Sequence, residues 1–426
     1  MDERLIIDNF FSIGHFDWEI KDFNILTGEM ASGKSLCMKL LHFIEQIFHR
    51  NIFFASISKE ALSREVFYNN IYDQFLKVFH CYNNEDVFHN TSIKYSYSYS
   101  DITFDLNVKY KNGKLEWNSN YLNDRLDEWR NLFTNGNTPD AAQNVRTQIY
   151  DRLIHDFSFT FPIGAEFIPA ARAIAAITNT KVNPLDIQDS FLENFINEDK
   201  DFALGFNKVP DEIVNKILHL KNIKIKVIKF LNKRTLEATT LDGRTITPLE
   251  FSSGQQELIY LLLLISNLNK TTFTYGQTTS IFIEEPSAHL FPDEQKETIQ
   301  YIVDVFRKLQ KKYNNENKKV RFFISTHSPY VLNVINNMLK KGYLIEKANN
   351  CTDGAKKQNM LNEINTLAFP HLDVNEISAR FIKKKVESMI KTSENGAYLY
   401  EPIIESITQK IDDDYNKVRD MIRQFK

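Results

Sequence analysis

A glycine-rich loop near the start of the chain constrains the fold more than any other feature of the sequence. Residues 28–35 read GEMASGKS and match the pattern GxxxxGK[ST]. The apolar run 23–26 before this loop predicts a strand. The residues after it predict an amphipathic helix, with apolar side chains at Leu36, Leu40, Phe43, Ile44 and Ile47. A loop in this context predicts a nucleoside triphosphate site, whereas a chance glycine-rich turn would not require the flanking strand and helix.

Each residue type in the loop has a physical role in holding phosphate. Glycines let the backbone curl so that successive N–H groups point at phosphate oxygens, and the helix start adds a positive dipole end. Lys34 supplies a mobile charge for the β- and γ-phosphates, and Ser35 offers a hydroxyl to Mg²⁺. The predicted nucleotide contacts are Gly28, Met30, Ala31, Ser32, Gly33, Lys34, Ser35 and Leu36.

Two carboxylates end a predicted strand in the second half of the chain. The apolar residues 280–283 lead into Glu284 and Glu285, and such a pair is costly to bury without a cation or a proton. Facing the glycine-rich loop, Glu284 is predicted to hold Mg²⁺ or its water, and Glu285 to orient the attacking water. A solvated strand end is the alternative for the pair taken alone.

A histidine follows the next predicted strand. Residues 320–325 are mostly apolar, predict another strand and lead into Thr326 and His327. Nucleotide sites gather at the carboxyl ends of strands in such sheets, so we expect His327 to sense the γ-phosphate. A lone histidine is more often structural or merely exposed.

A short polar segment opens another helix. It consists of Ser252, Ser253, Gly254 and Gln255, and it precedes residues 258–265, which are apolar on every side and predict a buried helix. A cap by Ser252 or Ser253 would present the N–H groups of the helix start as a second anion site. A helix cap with no further role explains the segment equally well.

Taken together and in this order, the four segments resemble the motifs of ABC-type ATPases of the SMC/RecF/OLD group. The stretch LIIDNFFSIGHFDWEIKDFNILTGEMASGKS resembles the first strands and Walker A loop of that group, and FSSGQQE its signature motif. IFIEEPSAHLFP resembles its Walker B strand with the D-loop, and ISTHSPYVL its switch-histidine segment. The resemblance implies an α/β ATPase head. It would contain a phosphate-loop sheet with flanking helices and, beside it, an antiparallel β subdomain, with helical and β insertions.

The resemblance also implies ATP and Mg²⁺ as cofactors and a role for each matching residue. Gly33 and Lys34 would bind phosphate, Ser35 and Glu284 would bind Mg²⁺, Glu285 would be the catalytic glutamate and His327 the switch histidine. The signature segment, residues 252–255, would contact the γ-phosphate held by the opposite protomer. Two ATP molecules would then join a head-to-tail homodimer, with higher oligomers left open.

Two departures from the pattern of the group bear on these roles. The position of Glu284 usually carries Asp, and the extra methylene implies indirect metal contact and slow turnover. No Q-loop glutamine can be placed. The segment Glu166–Arg172 resembles a stretch of small OLD-like ATPases, which implies that Arg172 faces the nucleotide.

The matching stretches predict the domain organisation. Residues 1–50 and 240–345 are expected to form the ATPase core. Residues 51–160 read as an inserted β-hairpin and helical region, and residues 161–239 as an arginine-containing segment and a lobe that leads to the signature motif. Residues 346–426 are expected to form a C-terminal β and helical extension.

The first inserted region carries two local signals. Ile93, Tyr95, Tyr97 and Tyr99 alternate with polar residues, and we favour a half-buried strand face over a base-stacking platform. The pair Asn112-Gly113 between two alternating runs predicts a hairpin turn.

Net charge, cysteine spacing and the length of apolar runs indicate where the protein resides and what it can bind. The net charge of −3 gives no global electrostatic case for nucleic-acid binding. Cys37, Cys81 and Cys351 are far apart, which argues against a disulfide framework or a thiolate zinc site. The longest apolar run, 259–265, is too short to cross a bilayer. We therefore expect a cytoplasmic protein without a membrane anchor.

A compact ATPase of this group without its own effector resembles the ATPase subunits of two-component anti-phage systems such as the PARIS and Septu types. This implies a sensor or scaffold whose separate partner is a nuclease or toxin. A RecF-like DNA-repair ATPase that binds DNA is the alternative, and the ATPase of a membrane importer fits the motifs poorly. No nuclease is predicted, because residues 344–347 lack the glycine of a TOPRIM strand end and residues 412–414 read as a solvated helix face.

Overall fold

The computed structural model describes most of the chain. It covers residues 2–29, 31–52, 55–79, 88–133, 138–172, 190–194, 224–230, 233–239, 242–247, 250–268, 278–313, 319–383, 387–394 and 396–400. Some expectations lie outside these residues: the nucleotide contact of Met30, most of the lobe at 161–239, and the helix face at 412–414.

The described strands form four sheets. In chain order they are β1 (Asp2–Phe10), β2 (Ile13–Glu19), β3 (Phe23–Gly28), β4 (Ser92–Tyr99), β5 (Ile102–Lys111), β6 (Lys114–Asn118), β7 (Pro162–Ile168), β8 (Lys224–Phe230), β9 (Lys233–Thr239), β10 (Thr245–Ile246), β11 (Thr278–Glu284), β12 (Val320–Ser325), β13 (Ile377–Ile382), β14 (Glu387–Ser388), β15 (Ile390–Ser393) and β16 (Gly396–Leu399). The two small sheets have the orders β10-β9-β8 and β15-β16.

The described α-helices are α1 (Lys34–Gln46), α2 (Arg64–Val78), α3 (Asn120–Asn131), α4 (Pro139–Phe157), α5 (Ser190–Asn194), α6 (Ser253–Leu268), α7 (Pro292–Tyr313), α8 (Pro329–Asn349) and α9 (Gly354–Asn365). A π-helix at Ile47–Ile52 continues α1. Short 3₁₀ helices lie at Ser158–Thr160 and Val374–Glu376.

A six-stranded sheet in the order β14-β13-β3-β12-β11-β7 forms the centre of the molecule. Every pairing in it is parallel except that of β14 with β13. All residues of β3, β11 and β12 are buried, as expected for parallel strands covered on both faces. The strands that precede the glycine-rich loop, the two glutamates and His327 are therefore neighbours, with β12 between β3 and β11.

The second large sheet is antiparallel, in the order β2-β1-β4-β5-β6. Tyr95 and Tyr97 on β4 are each 2% exposed, which confirms the strand-face interpretation and leaves no stacking platform at these two rings. Asn112 and Gly113 join β5 to β6 with φ angles of 52° and 84°. Positive φ at both positions is the geometry of the predicted Asn-Gly turn.

The two faces of the central sheet pack against different layers. On β12, Phe323 joins a hydrophobic core with α1 and the antiparallel sheet, whereas Phe322 and Ile324 join a second core with α6, α7 and α8. Successive side chains of a strand point to opposite faces, so the central sheet lies between the two layers. The predicted α/β class is confirmed.

Both large sheets draw strands from outside the two stretches predicted as the ATPase core. β7 pairs with β11, β13 pairs with β3, and β4 pairs with β1. The buried strands β3 and β11 need partners on both sides for their N–H and C=O groups, and distant segments of the chain supply them. The expected boundaries at 50, 160 and 345 therefore do not separate independent sheets.

No helix within the described part of the chain combines the length and the apolar character that a membrane span requires.

Candidate functional site

The glycine-rich loop leaves β3 through backbone angles that suit glycine. Gly28 has a φ of 148°, and a Cβ there would lie 2.3 Å from the carbonyl oxygen of Ile382. Ala31 has a φ of 58°, and Gly33 a φ of 99°. Side chains rarely adopt such angles, so both the curl of the backbone and the contact with β13 explain the glycine at position 28.

The start of α1 is a ready anion site. Gly33 has no side chain to cap the helix, and α1 has no acidic residue in its first turn. The N–H of Cys37 donates to the carbonyl of Gly33 at 2.9 Å, so the N–H groups of residues 34–36 precede the first intrahelical bond. Ser35 is exposed and Leu36 half-buried at this end. Free N–H groups and an unopposed dipole favour a phosphate.

Lys34 lies folded over the glycine-rich loop. Its Nζ donates to the carbonyl oxygens of Gly28 at 2.9 Å and Glu29 at 3.0 Å. Burial lowers the pKa of the Lys34 ammonium, and the charge of Glu285 opposes this shift. A half-desolvated cation with mainly carbonyl partners gains from an incoming anion. Beside it, the buried hydroxyl of Ser32 makes no hydrogen bond to the described residues.

Glu284 ends β11 with its carboxylate half satisfied. The side chain is 5% exposed, and its Oε2 accepts a hydrogen bond from the N–H of Ala170 at 3.1 Å. Its Oε1 is buried and has no hydrogen-bond partner among the described residues. Such an oxygen is costly to leave unpaired, so this atom is suited to a cation or an ordered water.

Glu285 and His327 form a pair at the ends of neighbouring strands. The N–H of Glu285 donates to the carbonyl of Ser325 at 2.9 Å. Its Oε2 lies 2.9 Å from Nδ1 of His327 and accepts from the N–H of His327 at 3.4 Å. Glu285 has a φ of 41°, a left-handed angle that is uncommon for a non-glycine residue. The structure thus brings together the two residues predicted to be catalytic.

The signature segment forms a capping box at the start of α6. The Oγ of Ser252 accepts from the N–H of Gln255 at 3.4 Å, and Oε1 of Gln255 accepts from the N–H of Ser252 at 3.0 Å. Ser252 and Ser253 are exposed. A Cβ on Gly254 would lie 2.7 Å from the carbonyl oxygen of His289, so α6 packs closely on the segment after the two glutamates.

The signature segment and the glycine-rich loop are not linked by hydrogen bonds within the described part of the chain. The structure therefore groups the loop, the two glutamates and His327, and the capping box packs beside the segment that follows the glutamates without a hydrogen bond to the loop.

Arg172 corrects the expectation that its side chain faces the nucleotide. The residue is fully buried, at 0% exposure, and its guanidinium donates to main-chain carbonyls. The acceptors are Glu257 at 3.0 Å, Pro169 at 3.1 Å, Glu284 at 2.8 Å and Glu285 at 3.0 Å. A resemblance of short segments cannot show orientation, and here carbonyls after β7, at the end of β11 and on α6 together accept the N–H groups of the guanidinium.

Glu257 is a site residue that the sequence reasoning missed. It is 8% exposed on α6, with its carboxylate 3.7 Å from Arg172 and 3.8 Å from His289. Burial raises the pKa of Glu257, and the charges of Arg172 and His289 oppose the shift. A single glutamate at the start of an otherwise apolar helix was the available signal, since a buried acid needs a partner.

The oxygens at this site fit magnesium bound together with a nucleotide. Within the described ranges, no group of three or more His, Cys, Asp or Glu side chains could hold a metal. Mg²⁺ commonly keeps several waters and joins one or two carboxylates to substrate phosphates. The unpaired Oε1 of Glu284 and the exposed hydroxyl of Ser35 suit that arrangement.

Two solved structures show a distant likeness to the chain. Among solved structures, the SMC head bound to the C-winged helix domain of ScpA is 14% identical with a TM-score of 0.40, over 78% of this chain and 92% of that chain. The SMC head domain from Thermotoga maritima is 9% identical with a TM-score of 0.37, over 94% and 98%.

No curated protein matches the chain significantly. A family model described as an AAA ATPase domain matches residues 1–332. That range contains the glycine-rich loop, the signature segment, both glutamates and His327, and it exceeds half of the chain. The chain therefore belongs to the AAA ATPase domain family.

Proposed function

We propose that the protein binds ATP with Mg²⁺ and hydrolyses it in a homodimer. The observation that supports this most directly is the meeting of the glycine-rich loop, the two glutamates and His327 at the carboxyl ends of β3, β11 and β12. Ligands of open α/β sheets bind at this edge. Membership of the AAA ATPase domain family supports the same activity.

Within one protomer, residues 31–36 would surround the phosphates with N–H groups. Lys34 would exchange its two carbonyl acceptors for phosphate oxygens, and its burial makes a negative partner favourable. Ser35 and Glu284 would hold Mg²⁺, which neutralises charge on the phosphates when bound. Glutamate in place of aspartate at 284 favours contact through water and a slow turnover.

Glu285 would orient the attacking water, and His327 would sense the γ-phosphate. The pair is joined at 2.9 Å, so a phosphate that draws the imidazole away frees Oε2 of Glu285 for the water. Positioned acid–base groups typically contribute about 10²- to 10⁴-fold to a rate. Their pairing also gives the nucleotide-free protein a way to hold the glutamate inactive.

The signature segment would act across the dimer. Ser252 and Ser253 are exposed at the positive end of α6, where an anion from a second chain can reach them. Ser252, Ser253, Gly254 and Gln255 would contact the γ-phosphate bound to the partner protomer. Two nucleotides buried between two copies give a closed two-fold assembly.

The biological role that the sequence resemblance favours is a sensor or scaffold in anti-phage defence. ATP-driven closure of the dimer would expose or cover a surface for a separate nuclease or toxin. Affinity purification from the native host, with and without ATP, tests this role. A companion nuclease or toxin that co-purifies only in one nucleotide state supports it, and a protein that purifies alone in both states contradicts it.

A groove between α2 and the β5–β6 hairpin supports the alternative of a DNA-binding ATPase. Its volume is about 690 Å³, and the side chains that line it include Arg64, Lys109, Lys111 and Lys114 beside Tyr68 and Trp117. Arg64 and Lys111 are paired with carboxylates, which leaves Lys109 and Lys114 to meet phosphate. Tight duplex binding at physiological salt that is lost in Lys109→Glu would favour this reading over the defence role.

The ATPase proposal is tested by nucleotide binding, turnover and mass measurement in solution. We expect Lys34→Ala to lose ATP binding, and Glu285→Gln to bind ATP, to turn over at least about 10²-fold more slowly and to accumulate as a dimer. Lys319→Ala is the matched control, since that lysine lies at the opposite end of the sheet beside Asp22. No binding of ATP by the unmodified protein at millimolar concentration contradicts the proposal.

A further inference from the structure

Arg172 uses its guanidinium to join three parts of the candidate site. Four of its hydrogen bonds go to main-chain carbonyls after β7, at the end of β11 and on α6. Its remaining contact is with the carboxylate of Glu257 at 3.7 Å. A guanidinium has five N–H donors in a fixed plane, so this side chain holds all three elements in one rigid geometry.

The carbonyls that Arg172 binds belong to the two glutamates themselves. Nη1 donates to the carbonyl of Glu284 and Nη2 to the carbonyl of Glu285. The loop that carries Arg172 also donates from Ala170 to the carboxylate of Glu284. Arg172 therefore fixes the backbone from which both acidic side chains project, including the left-handed turn at Glu285.

The same arginine is bonded to the helix that carries the signature segment. Both the carbonyl and the carboxylate of Glu257 contact it, and Glu257 lies about one turn along α6 from Gly254. The carboxylate contacts are 3.7 Å to Arg172 and 3.8 Å to His289, longer than hydrogen bonds, and Oε2 of Glu257 has no hydrogen-bond partner among the described residues. This joint can tighten when α6 moves, whereas the carbonyl bonds are already short.

We propose that Arg172 is a positioning residue that couples the signature helix α6, through Glu257, to the backbone of Glu284 and Glu285. The inference rests on the proposed function and deepens it. When the partner's γ-phosphate engages residues 252–255, α6 shifts and closes the contact between Glu257 and Arg172. The planar guanidinium then carries that shift to the carbonyl of Glu285, whose side chain leaves His327 and faces the water. Hydrolysis is thereby tied to dimer closure.

The test compares kcat with the affinity for ATP in two variants. Glu257→Gln keeps the shape of the side chain and the four carbonyl bonds of Arg172 but removes the charge that would close the joint. We expect ATP affinity and ATP-dependent dimerisation to stay within about threefold and kcat to fall about tenfold or more. Arg172→Lys should likewise lower kcat and leave ATP affinity unchanged, because an ammonium has three donors on one nitrogen and cannot reach four carbonyls.

Arg321→Lys is the matched control, because Arg321 is also buried and lies at the other end of the central sheet. We expect it to lower the melting temperature and to keep kcat within about twofold, measured well below that temperature. The inference is overturned if Glu257→Gln keeps wild-type kcat. It is also overturned if Glu257→Gln and Arg172→Lys lose binding, kcat and thermal stability in parallel, as a purely structural role requires. An unmodified protein without ATP hydrolysis refutes the proposed function instead.

Discussion

The two ends of the central sheet each hold a buried arginine, and the two arginines bind different kinds of acceptor. At the amino end, Arg321 forms ion pairs with Glu3 and Glu45 and bonds to the hydroxyl of Ser280. At the carboxyl end, Arg172 binds four main-chain carbonyls. Arg321 is 4% exposed and Arg172 0%, so burial alone does not explain the difference.

The choice of acceptor decides which carboxylates stay available. At the amino end, one guanidinium serves two buried carboxyl groups, and Tyr95 donates to Glu3 at 2.8 Å, so these polar groups satisfy one another; burial raises the pKa of both carboxyls. At the carboxyl end, Arg172 holds the backbone of Glu284 and Glu285 and leaves their carboxylates to other partners. A buried charge that keeps its partner is tolerated by the fold, whereas a carboxylate at a strand end without a cation partner can bind a ligand.

The largest expected effect is on stability, from Arg321→Ala. This variant leaves Glu3 and Glu45 buried without their cation, which typically costs about 3–5 kcal/mol. We expect calorimetry to show a large fall in melting temperature. ATP binding should be unchanged when it is measured at a low temperature at which the variant is still folded. A folded Arg321→Ala protein that has lost ATP binding would break the comparison between the two ends of the sheet.

The strands, the loop and the order of the site could be read from the sequence because each has a local signal. The apolar runs before Gly28, Glu284 and His327 are fully buried strands, and the capping box at Ser252 follows from serine and glutamine at the right spacing. These elements are specified by neighbours within a few residues, which is the range that periodicity and capping rules cover.

The contacts that cross the chain could not be read in the same way. β7 and β13 are short apolar segments far from the motifs, and only pairing shows that they complete the central sheet. Arg172 looked like a nucleotide contact, but its acceptors are carbonyls as far away in sequence as Glu285. Every residue has a backbone carbonyl, so a sequence pattern cannot show which carbonyls will accept hydrogen bonds from a buried arginine.

A smaller effect should appear as a pH dependence at the amino end. Burial raises the pKa of Glu45 to about 8, and Glu3 adds to the shift while Arg321 opposes it. The folded protein therefore binds this proton more tightly than the unfolded chain, whose glutamates titrate near 4.3. The contribution is complete below about pH 4.3 and is lost as the pH rises through about 8.

As the pH rises from 6 to 8, the free energy of unfolding should fall, because the folded protein loses the tightly held proton of Glu45. Glu45→Gln, which is neutral at every pH, should flatten this decline in melting temperature, and Glu363→Gln, an exposed site on α9, should not. An unchanged slope in Glu45→Gln would show that the charges at the amino end are balanced in another way.

The smallest expected effect concerns Ser252 at the start of α6. This serine caps the helix and is also proposed to contact the partner's phosphate, and two substitutions can separate these roles. Ser252 caps the helix through Gln255, and replacing a serine cap with alanine typically costs about 1 kcal/mol. Aspartate caps a helix as well as serine but repels a phosphate. We therefore expect Ser252→Ala to melt at a slightly lower temperature than Ser252→Asp, while Ser252→Asp loses ATP-dependent dimerisation more completely in light-scattering measurements.

If both variants dimerise normally with ATP, Ser252 is a helix cap alone, and the second contact to the phosphate must come from another residue. If Ser252→Asp keeps its melting temperature and loses the dimer, charge at this position acts on the ligand and not on the fold, as the contrast between the two buried arginines implies.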